Sequence, residues 1–406
     1  ANFAGVSLFA YYSDTFGDDG YWYVGLASDP TLEFVAEQAG PAIGLGTMIR
    51  EVDPATGLYA LAGSHYGVQL LRIEGEPGSY WLSIGPIEMT GGDSTFVTRT
   101  TFVAPGGDTV VLMSQEGSTV KLRAAAVDGT LLDPIGTAVT ISGAQQMIGV
   151  APIDATSLLA LWVKTPASFG LSAAVCTLSG TTITVGTQVD FGFSSYSVAG
   201  LTGSLKRVDT GKYVVRLGAV LAVLEVSGGA VTWGDSAAFS GPGPSIYDQT
   251  LAGKEFEVIG PGVIAIVSTS GSGGAITTYE WTGTGSSATL AQVDAYAFPA
   301  YYAEPPRSPM EPGVWFSPND GALEKVVAAE DGTLTVTPEI TIADSDWYVL
   351  SSTVLVHKTT LDTWQYAEGT WSVVDEAPAQ LALVSGLQGV TLGADGIWAF
   401  TDSEAP

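Results

Sequence analysis

An internal repeat runs through the chain at intervals of about fifty residues. Each copy holds three short apolar segments in the same order. In one copy Gly211–Leu217 is followed by Leu221–Val226, a Gly228-Gly229 turn and Ala230–Asp235. The same order appears as Ser157–Val163, Gly170–Leu178, Ser179-Gly180 and Thr181–Gly186, and again as Asp108–Met113, Val120–Val127, Asp128-Gly129 and Thr130–Pro134. Downstream copies run through Gly262–Val267, Gly313–Phe316 and Thr353–Val356. The closing segments begin near 31, 79, 130, 181, 230, 288, 333 and 370. A further extended segment precedes each copy, as at Phe96–Ala104, Gln146–Ala151 and Ser197–Gly203, which makes four strands per unit.

Within the segments apolar residues alternate with period two, and Gly, Pro, Asp or Asn ends nearly every run. No stretch of ten or more residues carries a helical period. Short strands joined by tight turns, repeated in phase, define an all-β fold of the β-propeller type with blades of four antiparallel strands. The count gives eight blades, with seven as the alternative because the units near 313 and 353 are short. The expected units are 44–93, 94–143, 144–193, 194–243, 244–298, 299–343 and 344–380, in one domain covering 1–406. The eighth blade is expected to be composite, from 1–43 and 381–406. Sharing it would zip the two ends of the chain together and remove an open sheet edge.

Composition narrows the function classes. Only 14% of residues are charged, 46% are hydrophobic and the net charge is −28. Disorder is excluded, because disordered chains are charge-rich and poor in large apolar groups. The acidic excess opposes nucleic acid, which needs clustered Lys and Arg, and opposes an anionic membrane face. No apolar run is long enough for a membrane-spanning helix, and Ala1–Gly5 shows no secretory signal. The lone Cys176 excludes an intrachain disulfide and reads as a core thiol on a strand, in a chain made in a reducing cytoplasm.

The repeat phrasing Thr177–Val189, with its Ser-Gly turn and Thr-Ile-Thr-Val-Gly-Thr strand, resembles propeller-type repeats in tail-fibre and other virion surface proteins of tailed phages, marine ones especially. Val226–Asp235 matches as well, and Ala125–Leu131 and Ala329–Val336 match more loosely. The resemblance covers roughly residues 95 to 340. It implies a structural virion protein made in the host cytoplasm and displayed on tail or head. Other virion proteins and a host surface glycan or receptor would be its partners. It transfers no catalytic residue. The alternatives are a secreted, lectin-like glycan-binding propeller and a propeller glycoside hydrolase.

The search for chemistry gives contact loops rather than a catalytic centre. Tyr301-Tyr302 begins a proline-rich segment that also carries Arg307 and Met310, and a stiff loop with exposed aromatics suits a partner or a glycan. Asp14, Asp18 and Asp19 form the densest acidic loop. Such a loop can hold Ca²⁺, but this one lacks the spaced Asp pattern and closing Glu of a calcium loop and reads first as a solvated turn. His65 and His357 fall in different units with no nucleophile elbow beside them. The seven arginines do not occupy equivalent blade positions, and no sialidase-type turn box is present. The expectation is a non-enzymatic protein with no cofactor, whose ten Trp serve mainly inter-blade packing.

Overall fold

The computed structural model describes residues 2–3, 6–13, 21–28, 33–40, 48–63, 67–75, 81–88, 97–164, 170–191, 205–217, 220–238, 256–270, 273–299, 313–319, 322–341, 347–351, 354–357, 363–367, 370–375, 387–393 and 396–401. Among them, every regular element is a strand except two single-turn 3-10 segments, Pro54–Thr56 and Gly285–Ser287. The strands form nine sheets, spanning 2–40, 48–88, 97–140, 144–191, 205–238, 257–299, 314–341, 347–375 and 387–401, called here the first to the ninth. In each, every strand pairs with its predecessor in the chain, except Val139–Thr140 and Val189–Phe191, which pair with the strand before that. The fourth sheet shows the pattern: Ala144–Asp154, Ser157–Lys164 and Leu171–Ser179 lie side by side, and Thr182–Val185 and Val189–Phe191 both pair with the third strand.

What packs the sheets is visible in the second strands. Ser157–Lys164 reads SLLALWVK and is buried over seven successive residues. Its side chains divide by parity. Leu158, Ala160 and Trp162 join Val111, Met113 and Leu122 of the third sheet, while Leu159, Leu161 and Val163 join Tyr213, Val215 and Leu224 of the fifth. A strand covered on both faces is apolar at every position, because each face meets a different neighbour. The same division recurs one sheet on, where Tyr213 and Val215 face the fourth sheet and Val214 faces the sixth. Further cores lie between the second and third sheets and between the sixth and seventh. From the second sheet to the seventh, successive sheets stack face to face and share a core with the next, and this stacking makes the fold a β-propeller.

Neighbouring sheets are also keyed together through backbone. The pairing of the last two strands in chain order, or of the third strand with a split outer strand, is interrupted in every sheet from the first to the eighth; in the seventh, which has three described strands, it lies between the second and third. In several sheets the interruption receives the third-to-fourth turn of the next. A Cβ built on Gly85 would lie 1.8 Å from the Thr130 carbonyl oxygen, on Gly136 2.1 Å from that of Thr181, and on Gly234 2.2 Å from that of Ala288. Only glycine allows this approach. The Asp235 N–H donates to the Ala288 carbonyl at 2.7 Å in the same junction.

Carboxylates act as clasps across sheets. Glu88 accepts from the Leu132 N–H at 3.1 Å, Glu225 from Gly285 at 2.5 Å, Glu257 from Gly313 at 3.0 Å and Asp294 from Leu334 at 2.9 Å. Part of the acidic excess therefore holds the ring together. Tryptophans fill the seams: Trp233 stacks on Phe191 with centroids 4.7 Å apart, and Phe316 meets Trp371 edge-on at 6.3 Å. Trp81, half exposed on an outer strand, departs from that pattern. At the ends of the chain, residues 2–40 supply all four strands of their own sheet, and Leu387–Gly393 pairs with Gly396–Thr401. Among the described residues no strand pairing joins these two sheets.

Candidate binding face

Meander order sorts the connections to two ends of the propeller. One end collects the turns from first to second and from third to fourth strand. In the fourth and fifth sheets they are two-residue turns, at 155–156, 180–181, 210–211 and 228–229, while others run to five or six residues, as at 104–108 and 283–288. The opposite end collects the second-to-third connections and the crossings between sheets. There the chain spans 192–204 and 239–256 between successive sheets. Loops on a rigid scaffold carry binding functions more often than the elements they join, so this end is the candidate face.

The tight-turn end is closed by self-capping aspartates. Asp154 accepts from the Thr156 N–H at 2.8 Å and its hydroxyl at 2.9 Å. Asp209 accepts from the Thr210 N–H at 2.6 Å, and Asp331 from the Thr333 N–H at 2.9 Å. These backbone hydrogen bonds hold all three carboxyls below the ordinary carboxylate range, with Lys212 assisting at Asp209. Such aspartates fold their own turns and leave little for a ligand.

The long-connection end is built differently. In the fourth sheet the Asp190 carboxylate takes three donors: Gln188 Nε2 at 2.6 Å and Ser172 Oγ at 2.9 Å on one oxygen, and Lys164 Nζ at 2.6 Å on the other. Gln188 first, and then Lys164, lower its pKa. In the third sheet Lys121 pairs with Glu116 at 2.7 Å, and Gln115 accepts from the Met147 N–H of the next sheet at 3.1 Å. In the fifth, Lys206 donates to the Phe256 carbonyl at 2.5 Å and lies 5.0 Å over its ring. Tyr296 donates to Glu324 between the sixth and seventh sheets. Rigid strand ends thus present alternating cations, amides and carboxylates, an arrangement suited to binding polar ligands.

The sequence-predicted contact residues Tyr301, Tyr302, Arg307 and Met310 lie outside the described residues, between Thr289–Pro299 and Val314–Asn319. Asp14, Asp18 and Asp19 also lie outside them. The strands they join, Val6–Ser13 and Tyr21–Ser28, pair at Ser13 and Tyr21, which is a second-to-third connection. Among the described residues no group of three or more His, Cys, Asp or Glu could hold a metal. His357 ends the strand Val354–His357, and His65 is outside the described residues. Cys176 is buried, and burial pushes its thiol up to about 12. The Asp190 cluster was not foreseen, since its members are drawn from three strands and show no local motif.

No family model and no curated protein matches the chain. Among solved structures, a 6-phosphogluconolactonase-like protein from Bacteroides fragilis is similar at TM-score 0.48 and 12% identity, over 83% of this chain and 96% of that one. Sqt1 from Chaetomium thermophilum, bound to the N-terminus of ribosomal protein L10, is similar at TM-score 0.47 and 14% identity, over 91% and 93%. Kluyveromyces lactis Hsv2 is similar at 0.40 and 8% identity, over 72% and 85%.

Proposed function

We propose that the chain is a binding propeller: a structural protein of a tailed-phage virion, displayed on tail or head, that attaches to a host surface glycan or receptor. The observation that carries the binding half of this reading is the pair of long crossings, 192–204 and 239–256, at one end of the propeller, opposite the two-residue turns of the fourth and fifth sheets. The virion half rests on the Ser-Gly and Asp-Gly repeat phrasing. The ring of cores supplies rigidity, and the loop-bearing end supplies recognition by shape, aromatics and hydrogen bonds.

The test is adsorption of the purified chain to host cells and to their isolated envelope polysaccharide. Replacing Tyr301, Tyr302 and Arg307 together by Ala is expected to weaken adsorption about tenfold or more, as loss of aromatic and Arg anchors does, with the melting temperature unchanged. Adsorption that ignores the triple variant removes these residues from the face. Steady shortening of the polysaccharide during the assay favours a hydrolase instead.

A further inference from the structure

The fourth sheet carries a row of residues across the face that it turns to the third. Met147 pairs with Trp162, Trp162 with Ser172 and Ser172 with Asp190, and directly opposed residues of antiparallel strands share a face. Lys164, two residues on from Trp162, shares it too. Trp162 and Ser172 are wholly buried, whereas the side chains of Lys164 and Asp190 are 31% and 56% exposed. The row therefore runs from the core between the third and fourth sheets out to solvent at the long-connection end.

Donors and acceptors do not balance along this row. Ser172 Oγ and Gln188 Nε2 fill one oxygen of Asp190, and Lys164 Nζ takes the other. A carboxylate oxygen accepts two hydrogen bonds and an ammonium donates three. One acceptor position on Asp190 and two N–H of Lys164 are thus open among the described residues. The Gln188 amide oxygen accepts nothing there, and the buried indole N–H of Trp162 has no acceptor. An unpaired buried donor is costly, which points to an acceptor that the described residues do not supply. The charges of the cluster already cancel. An anion would have to draw Lys164 from Asp190, and a cation the reverse, and either would uncover a charge. A neutral hydroxyl does neither, because it donates to Asp190 and accepts from Lys164 at once. Hydroxyls on neighbouring carbons of a sugar ring supply two such groups, one for the Lys164–Asp190 pair and one for Gln188. Ser172 and Gln188 hold the carboxylate in place beforehand, so little freedom is lost on binding.

We infer that the Asp190 cluster of the fourth sheet binds a neutral sugar through adjacent ring hydroxyls. The inference rests on the attachment reading and names the ligand class and its anchoring residues on that same face.

The probes are dextran, mannan and galactan, three neutral polysaccharides, with alginate as the acidic one. Binding to at least one neutral probe is expected, and it should change less than about twofold between about 20 mM and 200 mM salt, since no net charge is exchanged. Lys164→Met keeps the aliphatic stem and loses the donor, and Asp190→Ala loses the acceptor. Each is expected to weaken binding about tenfold or more, as loss of a hydrogen bond to a charged group does. Lys212→Met, which removes a similarly exposed ion pair at the opposite end, is expected to leave it within about twofold, because exposed pairs add little even to stability. The melting temperature of each variant verifies folding, and Lys164→Met carries the test if Asp190→Ala, which strips the buried Ser172 hydroxyl of its acceptor, does not fold. Failure to bind any of the three neutral probes overturns the inference. So do tighter binding to alginate, equal loss in Lys212→Met, and full binding by Lys164→Met. Host-cell adsorption that Lys164→Met leaves intact sinks this site and leaves the attachment reading standing. Neutral-sugar binding that is lost in Lys164→Met, in a chain that does not adsorb to host cells, does the reverse.

Discussion

Cys176 shows how far a single position can be read. Its segment, Leu171 to Leu178, is a short, mostly apolar run that ends in a Ser-Gly turn, which marks a strand and hence a packed thiol. The side chain lies in the core between the third and fourth sheets, opposite Leu158 and beside Ile183. Burial raises the thiol to about 12, so thiolate is scarce at neutral pH and the sulfur is inert. An aromatic disulfide reagent at pH 7.5 is expected to titrate no thiol in the native protein and one after denaturation. Full reaction in the native state would show that the seam is open. Asp190 is the contrasting case. Its partners Lys164, Ser172 and Gln188 meet only because the outer strand breaks after Val185 and resumes at Val189, in register with Ala173. Nothing local in the sequence announces that resumption.

At the level of strands and turns, the sequence was legible where glycine marks a turn and opaque where glycine marks a contact. Gly180 and Gly211 adopt φ of 57° and 70° in two-residue turns, and the repeat placed both at strand ends. Gly136 and Gly234 look no different in the sequence. They lie along outer strands, outside the left-handed region, and are required because a neighbouring carbonyl occupies the place of a Cβ. Gly136→Ala and Gly234→Ala are each expected to cost about 1–3 kcal/mol, as overpacking of a well-fitted seam does, measured by urea unfolding. Gly117→Ala meets no atom within 4 Å and strains only a φ of +59°, so about 1 kcal/mol is expected there. If all three cost the same, the interlock is not what fixes adjacent sheets. The alternating strands of the repeat were likewise legible, but the unbroken apolar run of Ser157–Lys164 was explained only by its two neighbours.

For the whole molecule, a ring of small cores must hold together against a net charge of −28. Self-repulsion of this size opposes compaction and is screened by salt. The melting temperature at pH 7 is therefore expected to rise between about 20 mM and 500 mM sodium chloride; a flat response would mean that the clasping carboxylates already offset the repulsion.

Acid should act in the opposite sense, through the turn caps. Asp154, Asp209 and Asp331 have folded pKa values below the ordinary 3.8, each because a backbone N–H binds the charged form. A depressed folded pKa means that the unfolded chain takes up the proton first. Its stabilisation is complete above the ordinary value and fades as pH falls through that value to the lower, folded one. Asp190, lowered by Gln188 and Lys164, follows the same rule. Stability is thus expected to hold down to about pH 5 and to fall steadily below about pH 4. The triple variant Asp154→Asn/Asp209→Asn/Asp331→Asn should melt lower than the parent at pH 7 and converge with it at about pH 2, where the parental caps are protonated too. A gap between parent and variant that persists unchanged to pH 2 would show that the aspartates act through shape rather than charge. The turns of three sheets would then owe their closure to Thr156, Thr210 and Thr333 instead.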